Sequence, residues 1–239
     1  MIESPHNEKL KLVRKLRERK HRERENLFIS EGEDLVEAGL AAGAQPRFLL
    51  TAAGSDLGGE EVEPELLASV SALGSGTRAI AVWPQRWAEA PRPTCLYLHG
   101  VGDPGNVGTI LRTAHALLDG TVVLGPECAD PFSPKAVRAS MGSIFGSPPA
   151  RATVTETPAP RAALVAHGGD GLEALGSAAT VCLGAERTGL PEDVLAACDA
   201  EVTIPLRAGG VESLNVAAAA AIAAERISSL AMPEAEPDA

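Results

Sequence analysis

Along this chain, short apolar runs of strand-like residues alternate with longer stretches whose apolar positions recur at helical spacing. Residues 7–24 are helical by residue type, with Leu10, Val13 and Leu16 forming a narrow apolar stripe. A strand is expected at 27–29, a helix at 33–42 and a second strand at 47–51. Pro64 suits the first turn of a helix running to Leu73, and a third strand follows at 79–83. This alternation predicts a small α/β domain over residues 1–83. Three prolines within 84–93 mark a linker. Strands are then expected at 94–98, 121–124, 153–156, 179–183 and 202–204, with helices at 106–118, 133–139, 160–167 and 191–197. Parallel strands joined by helices are the natural arrangement, over one domain at 94–230. Residues 231–239, with two prolines and three acids, read as a disordered tail.

The last helix changes that picture. After strand 202–204 comes a turn-rich loop with Gly209-Gly210, and Ser213 sits where an N-cap belongs, ahead of helix to about Ser229. Alanine fills positions 217–224 except Ile222, so this slim helix predicts close burial against its neighbours. Ser213 and Asn215 crowd the helix N-terminus, where free N–H groups favour a polar or anionic ligand.

Charge is distributed unevenly. The net charge is −11, yet residues 1–30 carry nine Lys/Arg against five Asp/Glu. A basic stretch on an acidic body suggests local nucleic-acid contact, through Lys11, Arg14, Lys15, Arg19 and Arg22, with a merely solvated helix face as the alternative. No apolar run approaches the ~20 residues of a membrane span, and no signal peptide is recognisable, so a cytoplasmic protein is expected. Cys95, Cys128, Cys182 and Cys198 are irregularly spaced and read as reduced thiols. The scattered histidines point to no metal site.

Candidate chemistry gathers in three clusters. The first, Asp103-Pro104-Gly105-Asn106-Val107-Gly108-Thr109-Ile110-Leu111-Arg112-Thr113-Ala114, opens a helix with Asn106 in a capping position. Residues 100–105 also spell G-x-G-x-x-G with Glu127 about twenty residues on, the dinucleotide-binding pattern, although Pro104 removes one of the amides such a loop uses. The second cluster, Leu183-Gly184-Ala185-Glu186-Arg187-Thr188-Gly189-Leu190, follows a buried strand, where α/β proteins place ligand contacts. The third is Ile204-Pro205-Leu206 with Ser213-Leu214-Asn215-Val216.

In this order the clusters closely resemble the three motifs of the SpoU (TrmH-type) branch of the SPOUT RNA methyltransferases. Arg187 stands where that family commonly has glycine, and His99 where it commonly has an acid. The front of the chain, with Phe28-Ile29-Ser30-Glu31-Gly32, is similar to the family's substrate-binding domain, related to ribosomal protein L30e. The resemblance implies a small L30e-like α/β domain followed by a SPOUT domain with a deep trefoil knot, assembled as a homodimer. It implies S-adenosylmethionine as cofactor, held around Leu183, Gly184, Ile204, Leu206, Ser213 and Leu214. It further implies transfer of a methyl group to a ribose 2′-hydroxyl in RNA without a metal. Ribosomal RNA is the first expectation, tRNA the second, and an inactive RNA-binding member of the fold the rival. Asn106, Arg112, Glu186, Ser213 and Asn215 are then the catalytic set. Arg112 also contacts RNA, and Glu186 orients Arg112 or the ribose. A guanidinium stays protonated, so Arg112 is expected to grip phosphate and stabilise developing charge on the 2′-oxygen.

Overall fold

The computed structural model describes residues 1–73, 76–207 and 209–231; of the tail expected at 231–239, Ala231 is the last residue of a helix and 232–239 lie outside the described residues. In chain order the first elements are helices Glu8–Lys15 (α1) and Arg19–Glu25 (α2), strand Leu27–Glu31 (β1), helix Glu33–Ala41 (α3) and strands Phe48–Ala52 (β2) and Glu60–Val62 (β3). Helix Pro64–Val70 (α4) and strands Ala79–Pro84 (β4) and Cys95–Leu98 (β5) follow, then helix Pro104–Leu117 (α5) and strand Val122–Leu124 (β6). Next come helices Pro134–Ser140 (α6) and Ser143–Gly146 (α7) and strands Ala150–Arg151 (β7), Arg161–Val165 (β8) and Thr180–Leu183 (β9). Helix Glu192–Ala196 (α8), strand Ala200–Thr203 (β10) and helix Val216–Ala231 (α9) complete the chain. Among the described residues no helix is long and apolar enough to cross a membrane.

Two compact units form: Met1–Arg86 with Asp130–Ser147, and Trp87–Ala129 with Pro148–Ala239. The stretch carrying α6 and α7, expected inside one domain at 94–230, therefore packs with the first unit. Its reason is aromatic: Phe132 and Phe145 lie 5.1 and 5.6 Å from the ring of Phe28, and Phe145 meets Trp83 at 4.8 Å. The indole N–H of Trp83 donates to Ser30 Oγ at 2.9 Å, so its polar edge is also satisfied.

The first unit holds a four-stranded sheet in the order β1-β4-β2-β3, with β4 antiparallel to β1 and β2 and β3 parallel to β2. Leu10, Val13 and Leu16 are fully buried in its core beside Leu27, Leu50 and Val82, as the apolar stripe predicts. The helix expected over 7–24 is instead broken after Leu16. That break frees the carbonyls of Leu16 and Arg17, and Arg22 Nη1 reaches back to both, at 2.8 and 2.7 Å.

The second unit holds a six-stranded parallel sheet, β10-β8-β9-β5-β6-β7. β5 and β9 are buried along their whole length, as the near-continuous apolar runs of a parallel sheet require. Two local expectations are corrected. Within the helix expected at 160–167, Arg161–Val165 form strand β8 instead, because Ala162 and Ala163 are buried in a narrow place between β9 and β10. Residues 153–156 form a 3₁₀ turn at Val154–Glu156, closed by the Thr153–Glu156 capping box, rather than a strand. α9 packs against α5, β9 and the turn at 172–177, and Ala220, Ala223 and Ala224 are fully buried there. The slim helix is used as its composition predicts.

Candidate active site

At the start of α5 the cap is Asp103, not Asn106. Asp103 Oδ1 accepts from the N–H groups of Gly105 at 2.7 Å and Asn106 at 3.1 Å, with Pro104 in the first turn. Two amides that a dinucleotide-binding loop would offer to a pyrophosphate are thereby spent. At the start of α9 the cap is Asn215, not Ser213. Asn215 Oδ1 accepts from Ala217 N–H at 2.9 Å and Ala218 N–H at 3.3 Å.

Relieved of capping, the Asn106 side chain is free to meet Asn215. Asn215 has committed its oxygen to the helix, so its Nδ2 donates to Asn106 Oδ1, at 3.2 Å. Asn106 must then donate its own Nδ2, and Glu186 Oε1 accepts it. An ionised carboxylate only accepts, so the chain of bonds has one consistent polarity. Three clusters far apart in sequence are tied together by it. Glu186 is paired with Asn106, and no bond joins it to Arg112.

Glu186 also lines a cavity of about 380 Å³. Leu183, Gly184, Ile204, Leu206, Ser213 and Leu214, expected around a cofactor, all line it, with Val216 and Ala219 of α9 as further apolar wall. The loop after β9 is closed on itself: the amides and carbonyls of Ala185 and Gly189 exchange bonds of 3.2 and 2.9 Å. A Cβ on Gly184 would stand 2.2 Å from the Gly189 carbonyl carbon, so no larger residue fits there. Sequence reasoning missed Leu164, Val165, Ala166 and His167, which enter the cavity from the end of β8. Reading that segment as a helix hid them, and the signal that could have found them is the alternation of strands. Asn106 and Asn215 do not line the cavity; the bonded chain connects them to its rim. Arg112 is exposed on α5, and among the described residues no hydrogen bond or ion pair holds its guanidinium.

The basic residues expected to meet RNA divide. Lys15 and Arg19 are exposed, Arg19 bonding Glu23 at 2.8 Å; Lys11 pairs with Glu8 at 2.7 Å and Arg14 donates to the Pro5 carbonyl at 2.9 Å. Arg22 is not available: it is 3% exposed and ion-paired with Asp130 at 2.7 Å, on top of its two carbonyl bonds. It is a structural residue of the first unit.

The sequence model of the SpoU rRNA Methylase family matches residues 93–225. The chain belongs to this family. A second model, the MRM3-like substrate binding domain, matches residues 7–83. Among curated relatives, the 23S rRNA (guanosine(2553)-2'-O)-methyltransferase RlmP of Bacillus subtilis is 33% identical over 248 residues, covering 92% of this chain and 96% of its own. The crystal structure of an AdoMet-bound rRNA methyltransferase from Sinorhizobium meliloti superposes with a TM-score of 0.84 at 28% identity, over 97% of this chain and 98% of that one. An RNA methyltransferase of the TrmH family from Porphyromonas gingivalis gives 0.80 at 31% identity, over 95% and 98%. As a member of the SpoU family, the chain shares an α/β fold built on a parallel sheet with these methyltransferases.

Proposed function

We propose that this chain methylates a ribose 2′-hydroxyl in ribosomal RNA with S-adenosylmethionine as methyl donor. The carrying observation is that the second and third clusters line one cavity, while the first is tied to both through the Asn215–Asn106–Glu186 chain of bonds. Support comes also from relatives whose names state rRNA 2′-O-methylation and from a neighbour solved with AdoMet bound. The residues present fit this cofactor. A cavity of about 380 Å³ falls within the usual range for such ligands, and the apolar walls at Leu183, Ile204 and Leu206 suit a purine face. The Ala185–Gly189 loop folds so tightly over Gly184 that a side chain there would collide with the Gly189 backbone, which keeps this wall of the cavity backbone only.

When bound, S-adenosylmethionine supplies a methyl group on a sulfonium, already a good electrophile, so the protein's part is positioning and charge stabilisation. Arg112, with its fork unoccupied, grips an RNA phosphate and steadies negative charge growing on the 2′-oxygen. Glu186 stands at the rim of the cavity, held in place by Asn106, and orients the ribose. Asn215 fixes Asn106 while it anchors α9, and Ser213 offers a hydroxyl to the cofactor. Methyl transfer breaks the sulfur–methyl bond and releases the 2′-hydroxyl proton, which leaves to solvent at the exposed Glu186 edge of the cavity; a guanidinium stays charged and takes no part in that proton transfer.

The finer reading rests on the family. The second unit is a SPOUT domain whose C-terminal segment forms a deep trefoil knot, the first unit is an L30e-like RNA-binding domain, and the enzyme works as a cytoplasmic homodimer. Packing of the slim α9 against α5, β9 and the 172–177 turn is consistent with a crowded, threaded position. The test is to map 2′-O-methyl groups in RNA from cells with and without the gene. Loss of one site from rRNA is expected. Loss from tRNA alone would move the substrate, and an unchanged map would overturn the activity.

A further inference from the structure

We propose that a cleft in the first unit takes a single unstacked nucleobase of the RNA substrate. The cleft lies between the start of α3, the residues just before β4 and the end of α6, and measures about 480 Å³. This inference rests on the RNA-directed function above.

The decisive feature is a carboxylate half satisfied. Glu31 is 4% exposed, and its Oε2 accepts from Ser71 Oγ at 2.7 Å and from the N–H groups of Ala72 at 2.8 Å and Leu73 at 3.3 Å. Its Oε1 is equally buried and has no partner. Across the same cleft, Arg138 Nη1 is buried without a partner. The two groups are not paired with each other. A buried acceptor and a buried donor left unmade are costly, more so on charged groups, and native proteins leave few of them. Apolar contact is supplied at the same place. Leu73 and Met141, both lining the cleft, are 49% and 51% exposed. Met141 moreover holds the left-handed conformation, φ 46°, at the end of α6, where glycine or asparagine is the usual occupant.

A ligand for this cleft must present an N–H to Glu31 and an acceptor to Arg138, with flat apolar faces for Leu73 and Met141. The edge of a nucleobase carries donor and acceptor side by side, and single-stranded RNA is read by splaying such bases out. A phosphate fits poorly. It brings no donor, and it meets Glu31, Glu33 and Asp34 against only Arg78 and Arg138, with Arg78 already paired to Glu33 at 3.1 Å.

Equilibrium binding of rRNA from cells lacking the gene tests this, using full-length wild-type protein, Arg138→Met and Met141→Asn. Arg138→Met should weaken RNA binding roughly tenfold, as expected for losing one base contact. Met141→Asn should also weaken it, while relieving the backbone at that position. The dissociation constant for S-adenosylmethionine and the slope of RNA affinity against salt should stay as in the wild type, because no phosphate contact is lost. Unchanged RNA affinity in both variants would overturn the proposal, and so would a salt slope shallower by about one, the mark of a phosphate contact. Binding is read without catalysis, so failure of the proposed methylation would show separately, as absent product with RNA still bound.

Discussion

Asn215 serves two masters, and they can be separated. Its Oδ1 caps α9 while its Nδ2 steers Asn106. Asn215→Ala loses both and should cost about 1 kcal/mol of cap stability, lowering the unfolding midpoint by roughly 2–4 °C for a chain of this size. Asn215→Asp keeps the cap but places a second acceptor against Asn106 Oδ1. The expected outcome is a near-normal midpoint with methylation reduced at least about tenfold, read by calorimetry and by labelled methyl transfer. Wild-type activity in Asn215→Asp would show the bonded chain to be structural only. Arg112 is the other residue to isolate. Arg112→Ala should lower the methylation rate by ~10²–10³ and leave S-adenosylmethionine affinity within a few-fold, because the exposed guanidinium does not line the cavity. Arg112→Lys should rescue little, since a point charge lacks the fork. The residues of the three clusters were legible because each cluster is continuous in sequence. Their caps were not: Ser213 and Asn106 are as good in type as Asn215 and Asp103, and only the observed start of each helix decides between them.

At the scale of elements, the basic N-terminal stretch is the clearest case of a pattern read correctly and then used differently. It is no free arm: Leu10, Val13 and Leu16 are core residues of the first unit. Deleting residues 1–25 should therefore unfold that unit rather than flatten a salt response. A cleaner test replaces Lys15, Arg19 and Lys20, all exposed, by Gln. If these three cations meet phosphates, the slope of log affinity against log salt should fall by roughly two to three. An unchanged slope would make this surface a solvated helix face. Arg22 belongs to stability instead. Arg22→Met strands Asp130, 8% exposed on its side chain, and breaking such a buried pair costs about 3–5 kcal/mol. Urea unfolding should detect that loss, with RNA affinity per folded molecule unaltered. β8 was illegible for a related reason. Its alanines favour helix in isolation, and only the space between β9 and β10 turns them into strand.

Over the whole molecule, the first stretch of unit one closes at Arg86, inside the proline-rich stretch 84–93. The return of Asp130–Ser147 to that unit was unreadable, because no local signal says that Phe132 and Phe145 find Phe28 and Trp83. The net charge of −11 belongs to the whole chain, so RNA must be engaged by local features. The features proposed for this are the surface of α1 and α2, the free fork of Arg112, and the base cleft. All of them serve one claim, that the cavity at Leu183–Gly184 and Ile204–Leu206 delivers a methyl group to RNA. The most direct measurement is transfer of labelled methyl from S-adenosylmethionine to rRNA from cells lacking the gene, followed by nuclease mapping. The account predicts label on one ribose 2′-oxygen with the wild-type protein and almost none with Arg112→Ala, both proteins binding S-adenosylmethionine. Cofactor binding without any incorporation by the wild type, or label on a base instead of a ribose, would contradict it.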